Sequence, residues 1–196
     1  MAILALLVFL LWVPYLIIYW PGFIFDDTLW SISQALGDSA LNNHHPVAYT
    51  AFLAACFKAV GFLGLGHTAG VGLSTVIQMA FMAFGFGYLS RWIVVRGSLK
   101  PTLGVVVAMA FGLCSYIGSF SVALWKDPIF SPAGLLLTIC LADLALSRGR
   151  AARRKGWVAP FLVGSLLMMF LRNNGVFVMA LVCVFMLVIC LLTCLN

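Results

Sequence analysis

The chain alternates between long apolar runs and short polar breaks. Residues 2–20, 71–93, 102–124, 129–146, 157–171 and 176–195 are apolar almost throughout. Continuous runs of this kind predict membrane-crossing helices, and they exclude a membrane barrel, whose strands alternate apolar and polar positions. The run 157–171 is short. At about 1.5 Å per residue it covers roughly 22 Å of a ~30 Å hydrocarbon core. Arg172-Asn173-Asn174-Gly175 is therefore expected below the lipid surface, in a broken helix lining a protected site.

A polar stretch follows the first run and extends to His45. Within it, Asp27 is placed to N-cap a short helix over 28–36 that Gly37 ends. Leu29, Trp30, Ile32 and Leu36 fall mostly on one side, which predicts a helix lying flat on the membrane. Pro46 then opens 47–63, which is nearly long enough to span but carries Lys58 and ends among glycines.

Composition and charge settle the class and the topology. The chain is 64% hydrophobic, only 8% charged, with a mean hydropathy of +1.15. A soluble domain of this length has no room to hide so much apolar surface. The fold class is an all-α polytopic bundle, integral to the membrane. The net charge of +6 is not a nucleic-acid footprint, because eight of the eleven basic residues lie in 91–100 and 148–155. Those are expected to be cytoplasmic loops under the positive-inside rule. If 47–63 spans, both basic loops land on the side of Asp26. If it lies in the interface, both become cytoplasmic, and Asp26, Asp27, His44, His45, Asp127 and Arg172 share the opposite face. The second arrangement is adopted: about six spans, interfacial helices in the first extracytoplasmic loop, and both termini in the cytoplasm. Residues 1–196 then form a single membrane-embedded module. The chain stops in or just after an apolar run, as expected of the N-terminal part of a longer protein. The six cysteines lie in apolar segments without Cys-x-x-Cys spacing and are expected to be small core residues.

The candidate chemistry lies in the breaks. The chain has five Asp and no Glu, and four of the five gather at the extracytoplasmic face: Asp26, Asp27, Asp38 and Asp127. Asp26-Asp27 can share the work of a base and a metal ligand, although Asp27 also suits a plain N-cap. His44-His45-Pro46 reads as a helix start or as part of a site. Trp125-Lys126-Asp127-Pro128 reads as an interfacial turn or as a second wall of the same site. Arg172 reads as a snorkelling cation or as an anion ligand, with Asn173 and Asn174 behind it. Asp143 has a structural role, paired with Arg148 or a neighbour.

The order of these features resembles the membrane-embedded GT-C glycosyltransferases, including protein O-mannosyltransferases and bacterial lipid-linked aminoarabinose transferases. Phe25-Asp26-Asp27 looks like the family's acidic first loop. His45-Pro46-Val47-Ala48-Tyr49 is similar to its His-Pro-Pro-Leu-like motif, with Val47 in place of the second proline. Ser90-Arg91-Trp92, Lys126-Asp127 and Arg172-Asn173-Asn174-Gly175 follow in the family's order. The resemblance implies transfer of a sugar from a polyprenyl-phosphate carrier to an extracytoplasmic acceptor, which is an envelope glycan, lipid or protein. The reaction is inverting, and the setting is a bacterial plasma membrane. Asp26 or Asp27 is the implied general base; His44, His45, Lys126, Asp127, Arg172 and Asn173 are the implied substrate-binding residues. A divalent metal, Mg or Mn, at Asp27 and Asp127 is left open. The alternatives are a transporter or lipid flippase, and a non-catalytic or truncated membrane subunit.

Overall fold

The computed structural model describes residues 1–42 and 46–194. In chain order the elements are α1 (Ala2–Ile18), β1 (Phe23–Ile24), α2 (Asp26–Leu36), α3 (Val47–Phe62), α4 (His67–Gly97), α5 (Pro101–Leu113), α6 (Ser115–Ser121), β2 (Ala123–Leu124), α7 (Lys126–Leu146), α8 (Lys155–Phe170) and α9 (Gly175–Cys194), with a 3-10 turn at Arg150–Arg153. The class is all-α. The two short strands form one parallel pair that the hydropathy pattern does not reveal.

Small residues set how the long helices meet. Gly72 of α4 lies against the Trp20 ring and Gly87 against the Ala5 backbone, so α1 and α4 run antiparallel at close range. Gly112 receives Leu11, and Gly118 receives Tyr15. Association inside lipid gains little from apolar burial, so it depends on such close backbone approach. Val8, Trp12, Met79 and Met82 fill the centre of this layer. A second core joins α3 to the rest through Tyr49, Leu53 and Phe57, packed with Val71, Leu124, Ile129 and Leu171. At the far end, Arg96 of α4 binds the Asp143 carboxylate of α7, and the Trp157 indole donates to the Cys140 carbonyl at 2.8 Å. The structural role expected for Asp143 is met by Arg96 rather than Arg148.

Among the described residues, three helices are long and apolar enough to cross a membrane: α4, α7 and α9. The bent pair α5–α6 makes a fourth if it counts as one span. α1, α3 and α8 are apolar but shorter. The single span expected over 102–124 is broken. α5 and α6 meet at a bend of 68° because Cys114 takes an extended conformation, and the chain then leaves the helix to form β2. Asp27 is not the N-cap of α2. Phe25 holds that place in an extended conformation continued from β1, and Asp26 and Asp27 both fall in the first turn. α2 is amphipathic as the sequence predicts, but its apolar side is not uniformly turned outward. Leu29 and Trp30 are exposed, whereas Ile32 and Leu36 pack onto the α3 core and Thr28, Ser31 and Gln34 are buried. Gly37 does end the helix, in a left-handed conformation at φ 87°, with the Asp38 amide donating to the Ser33 carbonyl at 2.9 Å. Of the cysteines, Cys56 and Cys140 are buried, while Cys183 and Cys190 are exposed on α9.

Candidate functional site

Three breaks in the helical pattern converge, and a short ladder holds two of them in register. Phe23 pairs with Ala123 and Ile24 with Leu124. The next residues, Phe25 and Trp125, face each other with ring centroids 5.5 Å apart. Both then act as extended N-caps, so α2 starts at Asp26 and α7 at Lys126, side by side. Gly22 allows the approach. It takes φ 132°, and a Cβ there would collide with the Thr75 hydroxyl and crowd the Val122 carbonyl, which accepts from the Phe23 amide at 3.0 Å.

Buried polar side chains lock the ladder from behind. Thr28 Oγ1 donates to the Leu124 carbonyl at 2.6 Å. Gln78 is fully buried within α4; its Nε2 donates to the carbonyls of Ser121 (3.1 Å) and Ala123 (2.7 Å). Ser121 ends α6 and Ala123 lies in β2, and away from water each carbonyl needs a donor. Neither Thr28 nor Gln78 was singled out in the sequence. The available signal was Gln78 itself, an amide in the middle of an apolar run.

The ladder delivers charge to one place. Lys126 Nζ lies 3.1 Å from Asp27 Oδ2. Asp127, one residue on, is 3.2 Å from Arg172 Nη1. Asp127 Oδ1 is buried and has no aligned hydrogen bond among the described residues, so this contact is an ion pair at an oblique angle. The Arg172 guanidinium also lies 5.4 Å from the Phe130 ring.

Arg172 reaches Asp127 because α8 ends at Phe170 and α9 begins at Gly175. The turn between them is closed by the Gly175 amide on the Arg172 carbonyl at 2.9 Å. A Cβ on Gly175 would overlap the Met168 carbonyl, so glycine is required here for close approach. A cavity of about 210 Å³ opens at this point, lined by Pro46, Lys126, Arg172, Asn173 and Asn174. A more apolar cavity of about 280 Å³ adjoins it, sharing Pro46 and Asn173 and continuing along Val47, Met169, Phe170 and Val176.

The structure thus brings together Asp27, Lys126, Asp127, Arg172 and Asn173. Asp26 sits apart, on an open groove with Leu29, Trp30 and Ser33. His44 and His45 lie outside the described residues. Tyr49, from the Pro46 motif, is buried in the core that α3 shares with Val71, Leu124 and Leu171, and it does not line the cavity. Burial raises its hydroxyl pKa well above the ordinary tyrosine range, so it stays neutral.

The arrangement can hold an anion. Two cations and two side-chain amides line one cavity, beside the N-terminal turn of α7. A resident metal fits less well. Asp27 and Asp127 each already face a cation, and no group of three or more His, Cys, Asp or Glu gathers among the described residues.

A family profile matches residues 29–191, and its description is a family of unknown function, DUF6020. The chain belongs to DUF6020. No curated protein and no solved structure matches it. The DUF6020 region takes in Lys126, Asp127, Arg172, Asn173 and the Gln78 lock, while Asp26 and Asp27 stand just before it.

Proposed function

We propose that this protein is a membrane glycosyltransferase that moves a sugar from a polyprenyl-phosphate carrier to an acceptor hydroxyl, with inversion. One observation carries the reading: Lys126 and Arg172, each beside a carboxylate, line a single cavity at the end of an apolar helical bundle.

The carrier's phosphate enters this cavity at headgroup depth. Arg172 takes two of its oxygens with the planar guanidinium, and Lys126 adds a point charge. Asn173 and Asn174 donate from the rim. The phosphate competes with Asp27 for Lys126 and with Asp127 for Arg172. Its arrival therefore releases the Asp27 carboxylate beside the reacting centre. Asp27 then accepts the proton of the acceptor hydroxyl as the new C–O bond forms. The bond from the anomeric carbon to the phosphate oxygen breaks, and polyprenyl phosphate leaves with the electron pair, its charge met by Lys126 and Arg172. Asp26, on the open groove, orients the acceptor, and His44 and His45 are assigned to the same task. Asp127 positions Arg172.

The topology proposed with this function has six crossings: α1, α4, α5–α6, α7, α8 and α9. α4 rises about 27 Å from Gln78, level with the site, to Arg96 at the basic end, close to the hydrocarbon thickness of ~30 Å. α3 packs against α4 before that stretch, through Phe57 at Gly70 and its neighbours at Val71. This supports an interfacial α3 and a site on the extracytoplasmic side of a bacterial plasma membrane.

The test is turnover of labelled polyprenyl-phosphate sugars by the purified chain in lipid nanodiscs. Sugar transfer by wild type and its loss in Asp27→Asn would establish the reading. Donor binding that follows Arg172 without any transfer across a panel of sugars would overturn it in favour of a carrier-binding protein.

A further inference from the structure

The end of the bundle opposite the site carries a second arrangement that the transferase chemistry does not use. α4 and α7 finish together here, tied by Arg96 on the Asp143 carboxylate and by a second bond to the Asp143 carbonyl at 3.2 Å. Eight cations belong to this end: Arg91, Arg96, Lys100, Arg148, Arg150, Arg153, Arg154 and Lys155. Asp143 stands among them, and Arg96 already neutralises it.

The loop that displays five of these cations is a built element. Gly149 takes φ 80°, and the Ala151 amide donates to Ser147 Oγ at 2.9 Å. Arg150 Nε returns to the Ser147 carbonyl at 3.0 Å. Ala151 is fully buried under Cys140, Leu144 and Trp157. With its middle anchored, the loop holds Arg148, Arg153, Arg154 and Lys155 outward and exposed. Between the loop and α4 lies a cavity of about 160 Å³, lined by Tyr88, Cys140, Asp143, Arg154, Gly156 and Trp157. Arg154 stands at its edge, and Ile139, Cys140 and Trp157 form its wall. Outside it, α8 continues with exposed Val158 and Leu162.

We propose that this cavity, with Arg154 and the exposed cations of the loop beside it, forms a headgroup site for an anionic glycerophospholipid. The phosphodiester seats at Arg154 and the first turn of α8, and the acyl chains follow Val158 and Leu162 into the bilayer. Charge selects the ligand. A zwitterionic headgroup brings an ammonium group toward a surface whose one acid is already held by Arg96, whereas an anionic headgroup meets Arg154 and its basic neighbours on the loop. Depth selects a lipid over a free anion. The ends of α4 and α7 mark the edge of the hydrocarbon, and the Trp157 wall with the α8 face gives acyl chains a surface that inorganic phosphate cannot use. The proposal stands on the membrane-protein class alone and is independent of the transferase reading.

The experiment is native mass spectrometry of the full chain in neutral detergent with equal phosphatidylglycerol and phosphatidylcholine. Wild type is expected to retain phosphatidylglycerol over phosphatidylcholine by about tenfold or more. The triple variant Arg153→Gln, Arg154→Gln, Lys155→Gln should fall to near parity, with helicity by circular dichroism unchanged. Arg153→Lys with Arg154→Lys keeps the charge and should keep most of the preference, which separates lost binding from lost folding. Equal retention of both lipids by wild type overturns the proposal. Loss of the preference in Arg172→Gln instead of the triple variant also does so, because the lipid then binds at the opposite end. Displacement of phosphatidylglycerol from wild type by inorganic phosphate would show a plain anion site and reject the lipid.

Discussion

Lys126 and Asp27 meet at 3.1 Å although 99 residues separate them in sequence. The contact is a consequence of register. The β1–β2 ladder sets two helix starts at one level, so the first-turn carboxylate of α2 faces the first residue of α7. Neither partner is useful in this way without the ladder behind it.

The strongest expectation concerns the two neighbouring carboxylates. Asp27→Asn keeps size and removes the proposed base, and it should lower turnover by roughly a hundredfold or more while the protein still inserts and purifies. Asp26→Asn, on the open groove, should have the smaller effect. Steady-state transfer assays on both variants decide it; full activity in Asp27→Asn removes the assignment.

Arg172 should govern carrier affinity. Arg172→Ala is expected to weaken binding of polyprenyl phosphate by about 2–4 kcal/mol where the charged hydrogen bonds are shielded from water. Arg172→Lys retains charge without the planar fork and should lose less. Titration in nanodiscs with free polyprenyl phosphate measures both. Equal affinity in wild type and Arg172→Ala would make the residue a snorkelling anchor.

The lock behind the ladder should show in stability. Gln78→Leu leaves the Ser121 and Ala123 carbonyls without their donor and should cost about 1–3 kcal/mol. Thr28→Val removes the bond to Leu124 and should cost less, about 1 kcal/mol. Thermal or denaturant unfolding in detergent reads both. An unchanged midpoint for Gln78→Leu would mean that the ladder holds by itself.

Gly175→Ala tests the break between α8 and α9. The added methyl overlaps the Met168 carbonyl, so the turn must open. A loss of about 1–3 kcal/mol in stability is expected, as for other overpacked sites. Weaker carrier binding should accompany it, because Arg172 moves with the turn. Wild-type values in both assays would show that the backbone yields without cost.

Topology is open to a labelling scan in a cysteine-free background. Asp38→Cys should react with an impermeant reagent from outside the cell, and Ala152→Cys only after the inner face is exposed. Reaction of both from one side would undo the six-crossing arrangement.

Much of this was legible in the sequence, for physical reasons that differ by element. Apolar runs reveal helices because a backbone in lipid must bond within its own segment. The short run before Arg172 reveals the break by simple length. Gly37 announces the end of α2 because few other residues take its left-handed conformation. The ladder was hidden, since two residues per strand leave no alternating pattern to read. The start of α2 was misplaced for the same cause: Phe25 takes its extended shape from β1, and the capping preference of Asp27 yields to it. The bend at Cys114 was also hidden, because residues 102–124 stay apolar on both sides of it. The convergence of Asp27, Lys126, Asp127 and Arg172 was expected only as a shared face. Which carboxylate meets which cation is set by the ladder and by the turn at Gly175.

The ladder also constrains how the protein is made. Phe23 leaves the ribosome a hundred residues ahead of its partner Ala123. At ~5–20 residues per second, the first loop waits about 5–20 s with its strand edge bare and Asp27 facing no lysine. A chain stalled or cut before α7 therefore presents an unfinished edge to the quality-control proteases. Defects in β2 are therefore expected to shorten the protein's lifetime in the cell.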